Sequence, residues 1–180
     1  FRRVFYRYRA ESVLMMYINE ATGEWELDCP EQEVAYSGID YKKGLAKIST
    51  TGRRLQGSIH SHCDFGAGHS GTDTNDEIDF AGLHLTMGHV NQDGFSLVSS
   101  FAFHKSRFQV EPHTVVDGLL VSGQEPPPRM GFQYGFRAEP HFTLVLSDED
   151  NKALLERYID ETDDVWMSRV TPRPAGRYCG

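Results

Sequence analysis

Leu55-Gln56-Gly57-Ser58-Ile59-His60-Ser61-His62 is the stretch that decides the fold. It reads as a short buried strand entering a site. On a strand, side chains at i and i+2 leave the same face, about 7 Å apart at the backbone. His60 and His62 then share a face, whereas on a helix they would point to nearly opposite sides. From that separation two imidazoles can converge on one metal ion at about 2.0–2.1 Å each. The strand reading and the metal reading support each other.

Working outward, Cys63 to His69 contains Gly66 and Gly68 and no apolar period, so it reads as a loop. It returns the chain to Ser70-Gly71-Thr72-Asp73, where Asp73 can supply a third, oxygen ligand. Three protein ligands plus water is the open arrangement of catalytic rather than structural zinc. Plainer readings compete. An HxH can arise by chance in a chain with 8 histidines. Ser-x-x-Asp is also a capping-box pattern, worth about 0.5–2 kcal/mol without any chemistry. However, Thr74-Asn75-Asp76-Glu77, leading into Ile78-Asp79-Phe80, is a better capping box, which leaves Ser70 and Asp73 surplus to capping.

Gly57-Ser58-Ile59-His60-Ser61-His62, then seven residues, then Ser70-x-x-Asp73, resembles the signature of the JAMM (MPN-plus, JAB-domain) metalloproteases. The resemblance covers roughly residues 3 to 120. It implies an α/β fold: a JAB/MPN-like mixed sheet flanked by helices, of cytidine-deaminase-like architecture, with a C-terminal extension. It also implies Zn2+ held by His60, His62 and Asp73, and a glutamate far upstream at the head of an apolar strand. Glu11, opening Glu11-Ser12-Val13-Leu14-Met15-Met16-Tyr17-Ile18, occupies that place. Glu20 and Glu24 flank a hairpin turn instead, and Glu31 and Glu33 fall in a loop-like stretch after Cys29-Pro30. The family usually has proline after the second histidine and this chain has Cys63, a change expected to alter loop stiffness rather than remove a ligand.

The implied chemistry is amide or isopeptide hydrolysis. Zinc lowers the pKa of its water toward neutrality. Glu11 accepts the proton and delivers it to the departing amine. Ser70 donates a hydrogen bond to the oxyanion. The short form, Cys63 and the Gly82-to-Gly88 strand look more like bacterial JAB proteins than proteasome or signalosome subunits. Such proteins accompany activating (E1-like) and conjugating (E2-like) enzymes in ubiquitin-like conjugation operons, some of them antiphage. The expected substrate is therefore the C-terminal tail of a ubiquitin-like protein or its conjugates, laid along a strand edge. Processing of a sulfur-carrier protein or small amide is the alternative enzyme reading. A metal-free MPN scaffold is the non-enzymatic one, though such scaffolds typically lack a ligand and His60, His62, Ser70 and Asp73 are all present here.

Other chemistry fares worse. Cys63 beside two histidines suggests a cysteine nucleophile, yet adjacent strand residues face opposite sides. His69 reads as a solvated loop residue. His84 shares a face with Thr86 and Gly88, either supporting the metal ligands or occupying a polar face. His104, His113 and His141 have no metal-type spacing, and no phosphate-binding glycine loop is present.

At 180 residues the chain can bury a sizeable core. A net charge of −8 argues against nucleic acid as partner. Three scattered cysteines (Cys29, Cys63, Cys179) make no disulfide framework, so a cytoplasmic location is expected. No stretch reaches the length of a membrane span and no signal peptide is apparent, so no membrane partner is expected. The chain opens at Phe1 rather than methionine, the pattern of a processed or partial product.

The expected organisation is a catalytic domain over 1–121, a Pro/Gly-rich linker over 122–141, and a strand-helix extension over 142–180 packed on the same domain. Val4 to Tyr8 and Ser12 to Ile18 read as strands, with a turn at Ala21-Thr22-Gly23 before a strand from Trp25. A helix is expected over Tyr41 to Thr51 and another over Thr74 to Ala81. Leu83 to Met87, Ser96 to Ser100 and Ala102 to Gln109 follow as strands, the last two also readable as one strand bent around Phe101. Ser122 to Pro128 is a stiff linker. Gly131 to Gly135 is an aromatic turn, either a substrate-facing loop or a plug on the core. Phe142 to Leu146 reads as a strand. Ser147-Asp148-Glu149-Asp150 caps a helix to about Ile159, and Asp160 to Asp164 is its solvated end or a contact for a basic partner. Trp166 and Met167 either dock back on the domain or anchor a partner.

Overall fold

The computed structural model describes residues 1–68, 77, 80–121, 141–144 and 149–174. Helix α1 (Arg2–Tyr8) leads into β1 (Ser12–Asn19), β2 (Trp25–Asp28), β3 (Gln32–Ala35), β4 (Gly38–Asp40) and the short helix α2 (Lys42–Leu45). Strands β5 (Arg53–Ser61), β6 (Gly82–Gly88), β7 (Phe95–Phe103), β8 (Ser106–Val110), β9 (Leu119–Val121) and β10 (His141–Leu144) follow, then helix α3 (Glu149–Ser168) and β11 (Val170–Pro172). The fold is mixed α/β: a mixed sheet of many strands flanked by few helices.

Among the described residues, eight strands form the main sheet in the order β2-β1-β5-β6-β7-β10-β9, with β8 also paired to β7. All its ladders are antiparallel except β5–β6. A parallel pair cannot be joined by a hairpin, so the chain between β5 and β6 must cross over the sheet. That crossover starts at His62 and contains the loop from Cys63. A second sheet, β11-β3-β4, sits beside it.

The register assigns the faces. Val13 lies opposite His60, His60 beside Thr86, Ser58 beside His84, and His84 opposite Ser100. Strand alternation then gives the opposite face to Met16, Ile59, Leu85 and Leu97, which pack with Phe142 in one apolar cluster. On the histidine face, Val13, Met15 and Tyr17 pack against Leu45, Ile48, Leu55 and Phe80. Farther along that face the buried residues become polar: Ser58, His60, His84, Thr86 and Ser100.

Several expectations need correction. Val4 to Tyr8 is helical, not a strand: its Val4 and Phe5 are buried while the arginines at 2, 3 and 7 stay out. The Tyr41–Thr51 helix shrinks to Lys42–Leu45. Beyond it the chain continues in tighter turns, Lys47 N–H donating to the Gly44 carbonyl and Ile48 N–H to that of Leu45. Gly44 itself packs so closely on Glu31 that an added Cβ would lie 2.0 Å from its carbonyl oxygen. Glu33 lies in β3 rather than a loop, since that segment pairs with both β4 and β11. The break in the β7–β8 region falls at His104-Lys105, both with left-handed φ (48° and 60°), and not at Phe101. Helix α3 runs past Ile159 to Ser168, so Asp160 to Asp164 is helix interior rather than its end. Asp163 and Asp164 pair with Arg3 of α1. Met167 is buried with Val4, Ala10, Cys29, Val34 and Val170, Trp166 packing alongside. The linker expected over 122–141 ends one residue too late, because His141 already pairs in β10. Residues 122–140, with the Gly131–Gly135 turn, lie outside the described residues, as does the Thr74–Ala81 helix apart from the helical Glu77 and from Phe80 and Ala81.

Candidate metal and catalytic site

His60 is the penultimate residue of β5, and His62 follows the strand's last residue. The strand conformation continues locally through His62, whose backbone N–H donates to the Met87 carbonyl oxygen at 2.7 Å. Both imidazoles therefore leave the sheet on one side, with ring centroids 5.3 Å apart and planes inclined by 54°. Both side chains are buried.

The His62 ring is fixed by its second nitrogen. Nδ1 lies 2.7 Å from the Gly66 carbonyl oxygen. A carbonyl only accepts, so in the neutral ring Nδ1 carries the hydrogen and Nε2 keeps its lone pair. That is the tautomer a metal ligand needs, with the orienting bond supplied by backbone. Phe65 adds a ring contact, 4.7 Å between centroids at 33°.

The loop that provides Gly66 is stitched to the ends of β6 and β7. His89 N–H donates to the Phe65 carbonyl oxygen at 2.8 Å, and Val90 N–H to that of Cys63 at 3.0 Å. Ala67 N–H donates to Ser96 Oγ at 2.9 Å, and the same hydroxyl is hydrogen-bonded to His89 Nδ1 at 3.1 Å. Gly88 lets the loop pass: a Cβ there would lie 2.3 Å from the Ala67 nitrogen. Cys63 is fully buried and its thiol donates to the Tyr36 carbonyl oxygen at 3.4 Å.

Glu11 is buried at the head of β1. Ser12 pairs with Ser61, so one further step of the antiparallel register sets Glu11 across from His62. Opposed residues of such a ladder have Cβ atoms about 4.5–5.5 Å apart. The Glu11 backbone N–H donates to the Ala35 carbonyl oxygen at 3.0 Å, anchoring the residue to β3. Burial pushes the Cys63 thiol pKa up to about 12, the Glu11 and Asp64 carboxylates adding to it. A thiol so raised is a poor nucleophile at neutral pH, which argues against the cysteine-nucleophile reading.

Behind His60 the polar face is closed by hydrogen bonds. His84 is fully buried. Its Nε2 lies 2.8 Å from the Phe80 carbonyl oxygen and therefore donates, so Nδ1 accepts from the Ser58 hydroxyl at 2.9 Å. Burial holds the His84 pKa down, against the pull of the Phe80 carbonyl and the Glu77 carboxylate. Glu77, also buried, meets Arg107 Nε at 3.2 Å, and Arg107 Nε donates to Ser100 Oγ at 2.8 Å. His84 thus braces the strand that carries His60, from one layer behind.

No protein-family model matches the chain, and no curated protein matches it. What the site can do rests on its own donor set.

Of the residues expected from sequence, His60 and His62 are brought together at the end of β5, and Glu11 is buried at the head of the neighbouring β1. Among the described residues no three His, Cys, Asp or Glu side chains are grouped as a metal site. Ser70, Asp73 and His69 lie outside the described residues. Two borderline-soft nitrogen ligands, one with its tautomer fixed, suit zinc well. Sequence reasoning did not single out Tyr36 and Phe65, which flank the site; a large aromatic two residues after Cys63 was the available signal.

Proposed function

We propose that the chain is a JAMM-type zinc peptidase of JAB/MPN-like, cytidine-deaminase-like architecture, cutting the bond that follows the C-terminal tail of a ubiquitin-like protein. The observation that carries this reading is the His60–His62 pair on one strand face, with His62 Nδ1 committed to Gly66 and Glu11 one register step away. Bound by His60, His62 and Asp73, zinc supplies Lewis acidity and a water acidic enough to attack at neutral pH.

The protein's own residues do the rest. His60 and His62 are held by a paired strand, so their orientation costs nothing at the moment of binding. Glu11 takes the proton of the attacking water and returns it to the leaving amine. Ser70 donates to the oxygen that becomes negative. Deconjugation or precursor processing in a bacterial ubiquitin-like conjugation system, antiphage systems included, is the biological setting proposed. The ubiquitin-like protein, its conjugates and the E1- and E2-like enzymes beside it are the proposed partners.

The test is incubation of the protein with a ubiquitin-like fusion, alongside Glu11→Gln, with zinc content measured for both. Cleavage by the parent and its loss in a Glu11→Gln protein that keeps zinc supports the reading. Zinc binding without tail cleavage turns the assignment to a sulfur-carrier or small-amide substrate. Absence of zinc binding turns it to a scaffold.

A further inference from the structure

Two partly exposed aromatic rings stand beside His62. Tyr36 occupies the turn between β3 and β4, and Phe65 the loop after His62. Their ring centroids lie 5.8 Å apart at 53°. Phe65 in turn contacts the His62 ring. The Tyr36 hydroxyl donates to Asp64 Oδ1 at 2.6 Å, bracing the far end of the ring.

The backbone around Tyr36 is fastened to Glu11 and to Cys63, the residue after His62. Glu11 N–H donates to Ala35 next to Tyr36, and the Cys63 thiol donates to the Tyr36 carbonyl oxygen. Yet Tyr36 is 51% and Phe65 36% exposed. Rings serving only as core would be turned inward, because each buried aromatic contributes large apolar area to stability. Here rigid anchoring and an open face are combined. An open aromatic face held in place at low entropy cost is what an extended peptide requires: peptide planes and small side chains lie flat on it.

We infer that Tyr36 and Phe65 form an aromatic shelf that receives the extended substrate backbone beside the bond to be cut. The inference rests on the peptidase reading above. Asp64 positions the shelf by holding Tyr36, without touching substrate.

Tyr36 is the informative position, because Phe65 also orients His62. The experiment uses zinc-loaded protein carrying Glu11→Gln, so that the probe is not consumed. The probe is a fluorescent peptide with glycines flanking the bond to be cut. Adding Tyr36→Ala should weaken binding about tenfold, while Tyr36→Phe, which keeps the ring and loses the Asp64 bond, stays within about threefold. Zinc affinity, read by chelator competition, should be the same in all three. In the Glu11-containing protein, Tyr36→Ala should raise KM more than it lowers kcat. Binding by Tyr36→Ala within twofold of its parent overturns the shelf while leaving the peptidase reading intact. Loss of zinc affinity in Tyr36→Ala also overturns it, by showing that the ring serves the metal ligands. Failure of the parent to bind the probe overturns shelf and tail reading together.

Discussion

Gly57 lies so close to Leu83 across the parallel β5–β6 ladder that an added Cβ would sit 1.7 Å from the Leu83 carbonyl oxygen. Its φ of 156° is also one that L side chains rarely adopt. The glycine three residues before His60 is therefore required by strand packing. Gly57→Ala should lower unfolding free energy by about 3 kcal/mol or more, read from the urea midpoint at unchanged slope. A loss below about 1 kcal/mol would contradict this close approach.

Cys63 should be inert in the native protein. With its thiol pushed up to about 12, the thiolate fraction at pH 7.5 is on the order of 10⁻⁴ to 10⁻⁵. Iodoacetamide at that pH should label the unfolded chain at Cys63 at least about a hundredfold faster than the folded one. Mass spectrometry of the labelled peptide reads the ratio, and fast native labelling would restore the nucleophile reading.

Stability should fall in mild acid because of His84. Its folded pKa is held below the ordinary 6.5 by burial. Between that depressed value and 6.5 the unfolded chain binds the proton and the folded chain does not. The sign follows: stability rises with pH through this window and is lost as pH falls below about 6.5. The slope attributable to His84 reaches at most about 1.4 kcal/mol per pH unit. Denaturant melts from pH 7.5 to 4.5 should show it, and His84→Gln should flatten it. An equal slope in His84→Gln would assign the acid sensitivity elsewhere.

Removing the cation beside Glu77 should be costly. Arg107 pairs with a buried carboxylate, and stranding such a charge typically costs about 3–5 kcal/mol. Arg107→Met is expected to fall in that range, and adding Glu77→Gln to recover part of the loss. A double-mutant cycle in chemical denaturation measures the coupling; a coupling near zero would mean that Glu77 is held by its other neighbours.

Much of the site's frame was legible in the sequence because β-structure has a short period. Alternation through Leu55–His62 places both imidazoles on one face, and the same rule places His84 with Thr86 and Gly88. The turn before Trp25 also reads directly, with Gly23 at φ 75°. Helix α1 did not: over seven residues, Val4, Phe5 and Tyr8 fit a helical stripe as easily as a strand. The β7–β8 turn carries His104-Lys105 where the strongest hairpin signal is Asn-Gly, so nothing local marked it. The last turns of α3 meet partners far away in sequence: Met167 packs with Val4 and Val34, and Asp163 and Asp164 pair with Arg3, about 160 positions earlier. The second sheet was illegible for the same reason, since β3 is completed by β11 from the far end of the chain.

Strand β5 is flanked on both sides, by β1 and by β6. The amide hydrogens of the histidine strand are thus sealed within two ladders, and their exchange with deuterated solvent requires large-scale opening. The entropy of aligning the two imidazoles is spent when the chain folds. A chelator should remove the proposed zinc without melting the protein, in contrast to zinc fingers, whose folding waits for their metal.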